Sequence, residues 1–450
     1  MIAGAGVGLR PEITADLLAR PGAADFLEVT AEGCYASPGA AREAKALARA
    51  FPVVVHGVKL SLGGAEGVDE GRARKLGRLA RELRAEAVSE HVAFVRGGGR
   101  EIGHLTGVPF TEEAVRVVAR NVARARRALP DVPLWLENVA WTFRYPDDAI
   151  DEGDFHARVA ESTGCDLLLD LGNVLADALN SGRDPKELVR RYPLDRVAAL
   201  HVAGGVTEGG FHFDTHAHPL SAGVLDLLPV VLAVTGPIPI ILERDADFPA
   251  FGELAAEIEA LRRAGEVEAR GGGREAREAA TLAAERNYAG LAREQAGLAA
   301  MLTQLAEPTA HDSAPYGSEA IARSRQILLR KRIDDALPLL PRLSRHPVTM
   351  RAIGRAQVSS WERAPRLAAI ADAFRLAAEA EGDPHLAEDA RADLLLLRSR
   401  FAGSGHDGSL APRLGPFVGS ARLAGGRVLW AVKAPGTGAG VRLFESGRRA

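Results

Sequence analysis

"FPVVVHG", residues 51–57, is a short, continuous, β-branched run that ends abruptly in an imidazole and a glycine. A strand buried on both faces reads this way, without polar alternation, and such strands belong to parallel sheets covered by helices. The same form recurs at Ile2–Leu9, Asp25–Val29, Ala87–His91, Pro133–Glu137, Asp166–Asp170, Val197–His201 and Pro237–Glu243. Between these runs lie amphipathic segments such as Gly71–Arg84, Thr111–Leu129, Asp154–Thr163 and Pro185–Arg191. Strands alternating with helices imply parallel pairing. Eight such units in about 250 residues is the size of a closed β/α barrel. An open doubly wound sheet is the alternative, but "GAGVGLR" (Gly4–Arg10) lies inside the first apolar run and matches the dinucleotide fingerprint poorly. The expected fold is therefore a TIM-type (β/α)8 barrel over residues 1–265, followed by a mainly helical C-terminal domain.

The pattern changes after about Ala264. "RGGGREAR" (Arg270–Arg277) is a charged, glycine-rich break, Glu278–Leu305 reads as one Ala-rich helix, and "EPTAHDSAPYGSE" (Glu307–Glu319) has the composition of a linker. This predicts a helix-and-linker stretch over 266–318 and a C-terminal domain over 319–450. Ile321–Arg342 and Pro365–Phe401 read as helical there, and Arg427–Val432 with Gly440–Phe444 as a hairpin. Net charge is −3, yet from His311 onward 22 Arg/Lys face 14 Asp/Glu, while the preceding part holds 34 and 45. An acidic front part argues against nucleic-acid binding there, because phosphate needs cations. No apolar run approaches the roughly 20 residues needed to span a membrane, and no signal peptide is evident. Two cysteines, Cys34 and Cys165, allow no disulfide framework, so a reducing compartment, the cytoplasm, is expected.

The strand ends carry the chemistry. The second run ends in Glu28, followed by Glu32; the third in His56; the fourth in Glu90–His91; the fifth in Glu137–Asn138. The sixth ends in Asp170, with Asn173 after it, the seventh in His201, and the eighth in Glu243, with Asp245 beyond; the loop after the seventh adds His212, Asp214, His216 and His218. The C-terminal strand ends of a barrel all open on one face, where barrel active sites lie. Several carboxylates gathered there without cations would raise one another's pKa values at a cost in stability, and divalent metals remove that cost. A polynuclear site is therefore expected. Mixed imidazole and carboxylate donors without thiolates suit iron, zinc or manganese. Cys165 precedes a strand and reads as core; Cys34 lies beyond Glu32 on the active face. No G-x-S-x-G nucleophile elbow is present.

The segments "GVGLR" at Gly6, "FLEVTAEGCY" at Phe26, "VVVHGVKLSLG" at Val53, "VSEHVAF" at Val88, "LENVAW" at Leu136, "TGCDLLLDLGNV" at Thr163, "LHVAGG" at Leu200, "DTHAHP" at Asp214 and "ILERD" at Ile241 stand in this order. Over Met1 to about Ala264 the chain resembles the multinuclear non-heme iron-dependent oxidative enzymes, the family of the methanobactin biosynthesis oxidase. The resemblance implies a barrel holding two or three Fe ions with dioxygen as co-substrate, acting on cysteine residues of ribosomally made precursor peptides. It implies His56, His91 and Glu137 as ligands of one iron, and Asp170, His201 and Glu243 of a second, with Glu137 as bridge. Asn173, Asp214 and His216 fall where a third metal is held. Glu137, Asp214 and His212 are the candidate catalytic residues; His218 and Asp245 are outer or proton-transfer candidates. The chain departs from the family pattern at Glu32–Gly33, at "LGN" (Leu171–Asn173) and at Arg244.

Family members often work with a separate partner protein that recruits the precursor, and the basic region Ile321–Ala450 is a candidate fused equivalent. The competing readings are a divalent-metal sugar isomerase or epimerase on a similar barrel and a three-zinc endonuclease. Iron content with dioxygen consumption separates the first reading from the others.

Overall fold

The computed structural model describes residues 2–266, 288–303, 308–357, 368–403, 410–413, 415–434 and 441–446. Eight parallel strands close a barrel: β1 (Ala5–Gly8), β2 (Leu27–Thr30), β3 (Val53–Gly57), β4 (Ala87–His91), β5 (Leu134–Glu137), β6 (Asp166–Asp170), β7 (Val197–Val202) and β8 (Ile240–Leu242). They run around the barrel in chain order, and β8 closes on β1 through Val7 opposite Leu242. This is the TIM-type arrangement. The register between neighbouring strands matters for the site, because it sets His91 beside Glu137 and Asp170 beside His201.

Side chains alternate across a strand, so every second residue enters the barrel. The inward set begins with an apolar layer of Phe26, Val54, Ala87, Trp135, Leu168, Ala199 and Ile241, all buried together. Two residues further along each strand toward its C-terminal end stand Glu28, His56, Ser89, Glu137, Asp170, His201 and Glu243. An apolar floor therefore lies beneath a polar layer, and His91 rises one step higher on β4. β1 contributes glycines instead. A Cβ on Gly6 would meet the Phe26 ring at 2.5 Å, so the bare backbone there makes room for the floor.

Most barrel helices start at a side-chain cap that meets otherwise unpaired N–H groups. Asp69 caps Glu70–Leu83, Thr111 caps Glu112–Arg126 and Asp151 caps Glu152–Thr163. Asp170 caps Leu171–Ser181 by accepting from the Asn173 amide at 2.8 Å. Two antiparallel hairpins follow the C-terminal ends of their strands: Ala93–Gly97 with Arg100–Gly107 after β4, and Gly204–Glu208 with Phe211–His218 after β7. The second is joined through Gly209 and Gly210 at φ +58° and +79°, the backbone that tight hairpin turns demand.

The chain divides into two compact units, Met1–Leu298 and Ala299–Ala450. A helix, Ala289–Thr303, begins within the first, and its Leu291 packs with Ala65 and Val117. The expected helix over Glu278–Leu305 falls partly outside the described residues, and the glycine-rich break at 270–277 lies wholly outside them. The second unit contains the helices Ser318–Ala336, Pro347–Gln357, Ala368–Ala380 and Ala387–Arg400 around a core that includes Leu340, Leu343, Met350, Leu376 and Leu397. Arg332 and Asp372 form a buried two-pronged ion pair at 2.8 and 2.7 Å. The unit also holds a three-stranded antiparallel sheet, Phe417–Arg422, Val428–Lys433 and Arg442–Ser446. The second and third of these strands form the expected hairpin; the first was not among the expected strands. The stretch read as a linker is partly ordered, since Thr309 caps a short helix at Ala310–Ser313.

Candidate metal centre

The polar layer converges. His56, His91 and Glu137 offer donor atoms that all lie within 4.8 Å of one another, as do Glu137, Asp170, His201 and Glu243, and also Asp170, Asp214 and His216. Glu137 belongs to the first two groups and Asp170 to the last two, so the three groups form one chain of donors.

Within the first group Glu137 Oε2 lies 3.2 Å from His91 Nε2 and 3.7 Å from His56 Nδ1. His56 Nδ1 is also 2.8 Å from the Ser89 hydroxyl. Within the second, His201 Nδ1 lies 2.9 Å from Glu137 Oε1 and 3.3 Å from Glu243 Oε2. Within the third, His216 Nε2 is 2.5 Å from Asp214 Oδ2 and 3.9 Å from Asp170 Oδ2, while its Nδ1 is 3.2 Å from Glu243 Oε2. His216 sits at φ +52°, a strained conformation for a side-chain-bearing residue. Hairpin and barrel together hold the ring where it meets both β6 and β8.

Electrostatics follow from the crowding. Burial raises the pKa of Glu137, but His91, His201 and His56 outweigh it and carry the carboxyl down to about 2. Burial lowers the pKa of His91, and Glu137, Glu90 and Glu243 reverse this to about 9. His201 and His216 are likewise driven well up by the carboxylates around them, against burial. Asp170 is pushed up by burial and by Asp214. The protein alone thus balances its carboxylates with imidazolium charge.

The balance leaves atoms unsatisfied. Glu28 Oε2, His91 Nδ1, Glu137 Oε2, Asp170 Oδ2 and Asp214 Oδ1 are buried without a hydrogen-bond partner among the described residues. Each such atom costs desolvation that a hydrogen bond would have offset. Three of the five, on Glu137, Asp170 and Asp214, are carboxylate oxygens of the donor chain, and divalent cations with mixed oxygen and nitrogen coordination meet that need. The donor set fits two or three metal ions.

Other sequence candidates lie differently. The Asn173 side chain donates to the Asn138 carbonyl at 3.1 Å. The stretch holding His212 and His218 is a hairpin strand rather than a loop, and both rings bond to neighbouring threonines, Thr207 and Thr215, at 2.9 Å. Neither belongs to the three groups. Asp245 forms an ion pair with Arg10 and stands 3.8 Å from His216 Nδ1. Arg244 points away from the barrel interior to Glu257. Burial pushes the Cys34 thiol up to about 11, so it stays protonated at neutral pH. Glu28, absent from the expected ligand set, is fully buried with its Oε1 at 2.9 Å from His201 Nε2. Its position two residues beyond Phe26, as His56 is beyond Val54, is the signal by which the sequence could have placed it in this layer.

Among curated proteins, the chain is 42% identical over 269 residues to a UPF0276 protein of Streptomyces avermitilis, covering 58% of this chain and 54% of that one. It is 36% identical over 270 residues to a UPF0276 protein of Caulobacter vibrioides, covering 60% and 96%. The chain therefore spans about half the length of the Streptomyces relative. Among solved structures, endonuclease IV from Thermus thermophilus is similar at 19% identity and TM-score 0.38, covering 58% of this chain and 98% of that one. A xylose isomerase domain protein from Planctomyces limnophilus is similar at 16% identity and TM-score 0.40, covering 59% and 98%. Residues 4–266, the whole barrel with its converging acids and histidines, match the family described as RiPP precursor modification enzyme MbnB/TglH/ChrH, and the chain belongs to that family.

Proposed function

We propose that the barrel is a multinuclear iron enzyme that uses dioxygen to oxidise a cysteine of a ribosomally synthesised precursor peptide. The observation carrying this reading is the single chain of donors through Glu137 and Asp170, with buried carboxylate oxygens left unsatisfied. His56, His91 and Glu137 would hold one ion; Glu137, Asp170, His201 and Glu243 a second; Asp170, Asp214 and His216, with Asn173 beside them, a third. Bound iron supplies a Lewis acid that favours a cysteine thiolate and a redox couple for dioxygen.

The residues divide the remaining work. The apolar floor of Phe26, Val54, Trp135 and Leu168 keeps water from beneath the centre. Asp170 is fixed by its helix cap, so one oxygen is committed and the other is free to face the centre. Arg10 and Asp245 form an ion pair close to His216 and Glu243 and set the charge there. Asp214 accepts from His216 and is the candidate for moving a proton at the hairpin side of the centre. His212, held by Thr207 and Asn180, is proposed only as an outer proton-transfer group. We further propose residues 1–265 as the catalytic part, 266–318 as helix and linker, and the basic 319–450 as the part that recruits an acidic leader peptide or partner protein.

The test is anaerobic purification with metal analysis, then dioxygen uptake in the presence of a cysteine-containing peptide encoded beside the gene. Iron in at least a two-to-one ratio and peptide-dependent oxygen consumption are expected. Full metal content in both His56→Ala and Glu137→Ala would sink the assignment. Turnover of a sugar with no oxygen uptake would replace it with the isomerase reading.

A further inference from the structure

We propose that Glu28 is a positioning residue: it accepts the Nε2–H of His201 and so commits that ring to present Nδ1 to Glu137 and Glu243. The inference rests on the metal reading given above, and its test separates the two.

His201 is completely buried, and both ring nitrogens have carboxylate neighbours. Nδ1 lies 2.9 Å from Glu137 Oε1 and 3.3 Å from Glu243 Oε2, inside a donor group; Nε2 lies 2.9 Å from Glu28 Oε1. Glu28 is itself completely buried, and its other near contact is His56 Nδ1 at 3.9 Å. It falls in none of the three groups able to hold an ion. A fourth carboxylate beside His201 adds desolvation and repulsion to a centre already rich in acids, so its placement needs a compensating role.

An imidazole offers a metal one nitrogen lone pair while its other nitrogen donates a hydrogen bond. A carboxylate on that second nitrogen selects the tautomer, stops the ring from rotating and makes the ligating nitrogen more basic. Glu28 reaches His201 across the barrel, from β2 to β7, so it ties two walls through this contact. Ser89 stands in a comparable place for His56, with its hydroxyl 2.8 Å from Nδ1. The difference is charge: a carboxylate polarises its ring more than a hydroxyl does.

The experiment uses the full chain loaded with Zn(II), which is diamagnetic, and measures affinity by chelator competition, saturating stoichiometry, and the histidine ring signals by 15N-edited NMR. Wild type is expected to show a slowly exchanging Nε2–H on His201 with Nδ1 metallated. Glu28→Leu is expected to weaken one ion by about 10- to 100-fold at unchanged saturating stoichiometry. Glu28→Gln keeps an acceptor oxygen and is expected to recover most of that affinity and the Nε2–H signal.

A loss of one full equivalent of metal in both variants would make Glu28 a ligand and overturn the proposal. So would a wild-type spectrum with the metal on Nε2, a result independent of how either variant folds. Wild-type affinity in Glu28→Leu would also overturn it. A wild-type protein that takes up no metal would instead remove the reading on which the proposal stands.

Discussion

Two buried histidines of the first unit carry opposite pH signatures. His91 is lifted to about 9 by Glu137, Glu90 and Glu243 against the pull of burial. A raised folded-state pKa gives stability that is complete below the unfolded value of about 6.5 and is lost as pH rises through about 9. The metal-free protein is therefore expected to lose on the order of 3 kcal/mol between those values. Denaturant midpoints across that range, compared with His91→Gln, check this; equal slopes would refute it. Metal loading must displace the same proton, so affinity is expected to rise with pH through the same window. His156 is the reverse case. Burial alone lowers it to about 4, and neither ring nitrogen has a hydrogen-bond partner among the described residues. Its native form is neutral, so the unfolded chain binds the extra proton as pH falls below about 6.5, and stability declines until about pH 4. Replacing His156 by Leu is expected to flatten the descent that wild type shows there. An unchanged descent would mean that other groups cause it.

At the scale of elements, the segment that follows His56 on β3 is braced from outside the barrel. Gln295 on the helix Ala289–Thr303 is buried, accepts from Ala65 N and donates to Gly63 O, each at 2.8 Å. The backbone at Gly97 comes so close that a Cβ there would meet the Gln295 carbonyl at 2.5 Å. The braced segment in turn sends the Leu60 amide to Glu90 Oε2 at 3.1 Å, beside His91. Gln295→Leu would leave two buried backbone groups unpaired, at about 2–4 kcal/mol in total. The expected outcome is a lower denaturant midpoint with faster amide exchange in residues 58–66. If exchange there stays at the wild-type rate, the helix is not a brace. The hairpin after β7 has another part in the site: it bends back over the centre and supplies Asp214 and His216.

Over the molecule as a whole, the division at Leu298 has a thermodynamic consequence. Each unit has its own buried core, so heating is expected to show two transitions. On the proposed reading a divalent metal would bind the native barrel and raise only the first unit's transition, by about 2.7 kcal/mol at a hundredfold excess over Kd. Calorimetry with and without metal measures this. One transition that shifts as a unit would show that the two parts unfold together. No helix among the described residues is long and apolar enough to cross a membrane.

How much of this was legible beforehand follows from range. The barrel was, because buried parallel strands and their caps are written in neighbouring residues. The side taken by the candidate donors was too, because a period of two places Glu28, His56, Glu137, Asp170, His201 and Glu243 on the same inward side as the apolar floor beneath them. Sharing was open to geometry alone: Glu137 touches three histidines and Asp170 meets the hairpin only once the barrel closes and sets their register. Glu28 and His201 are 173 residues apart and meet across the interior, while His212 and His218 bond to threonines on their own hairpin. Local pattern tells which side of a strand a residue takes. Which partner it finds there depends on barrel closure, strand stagger and the path of the hairpin, and these exist only in the folded chain.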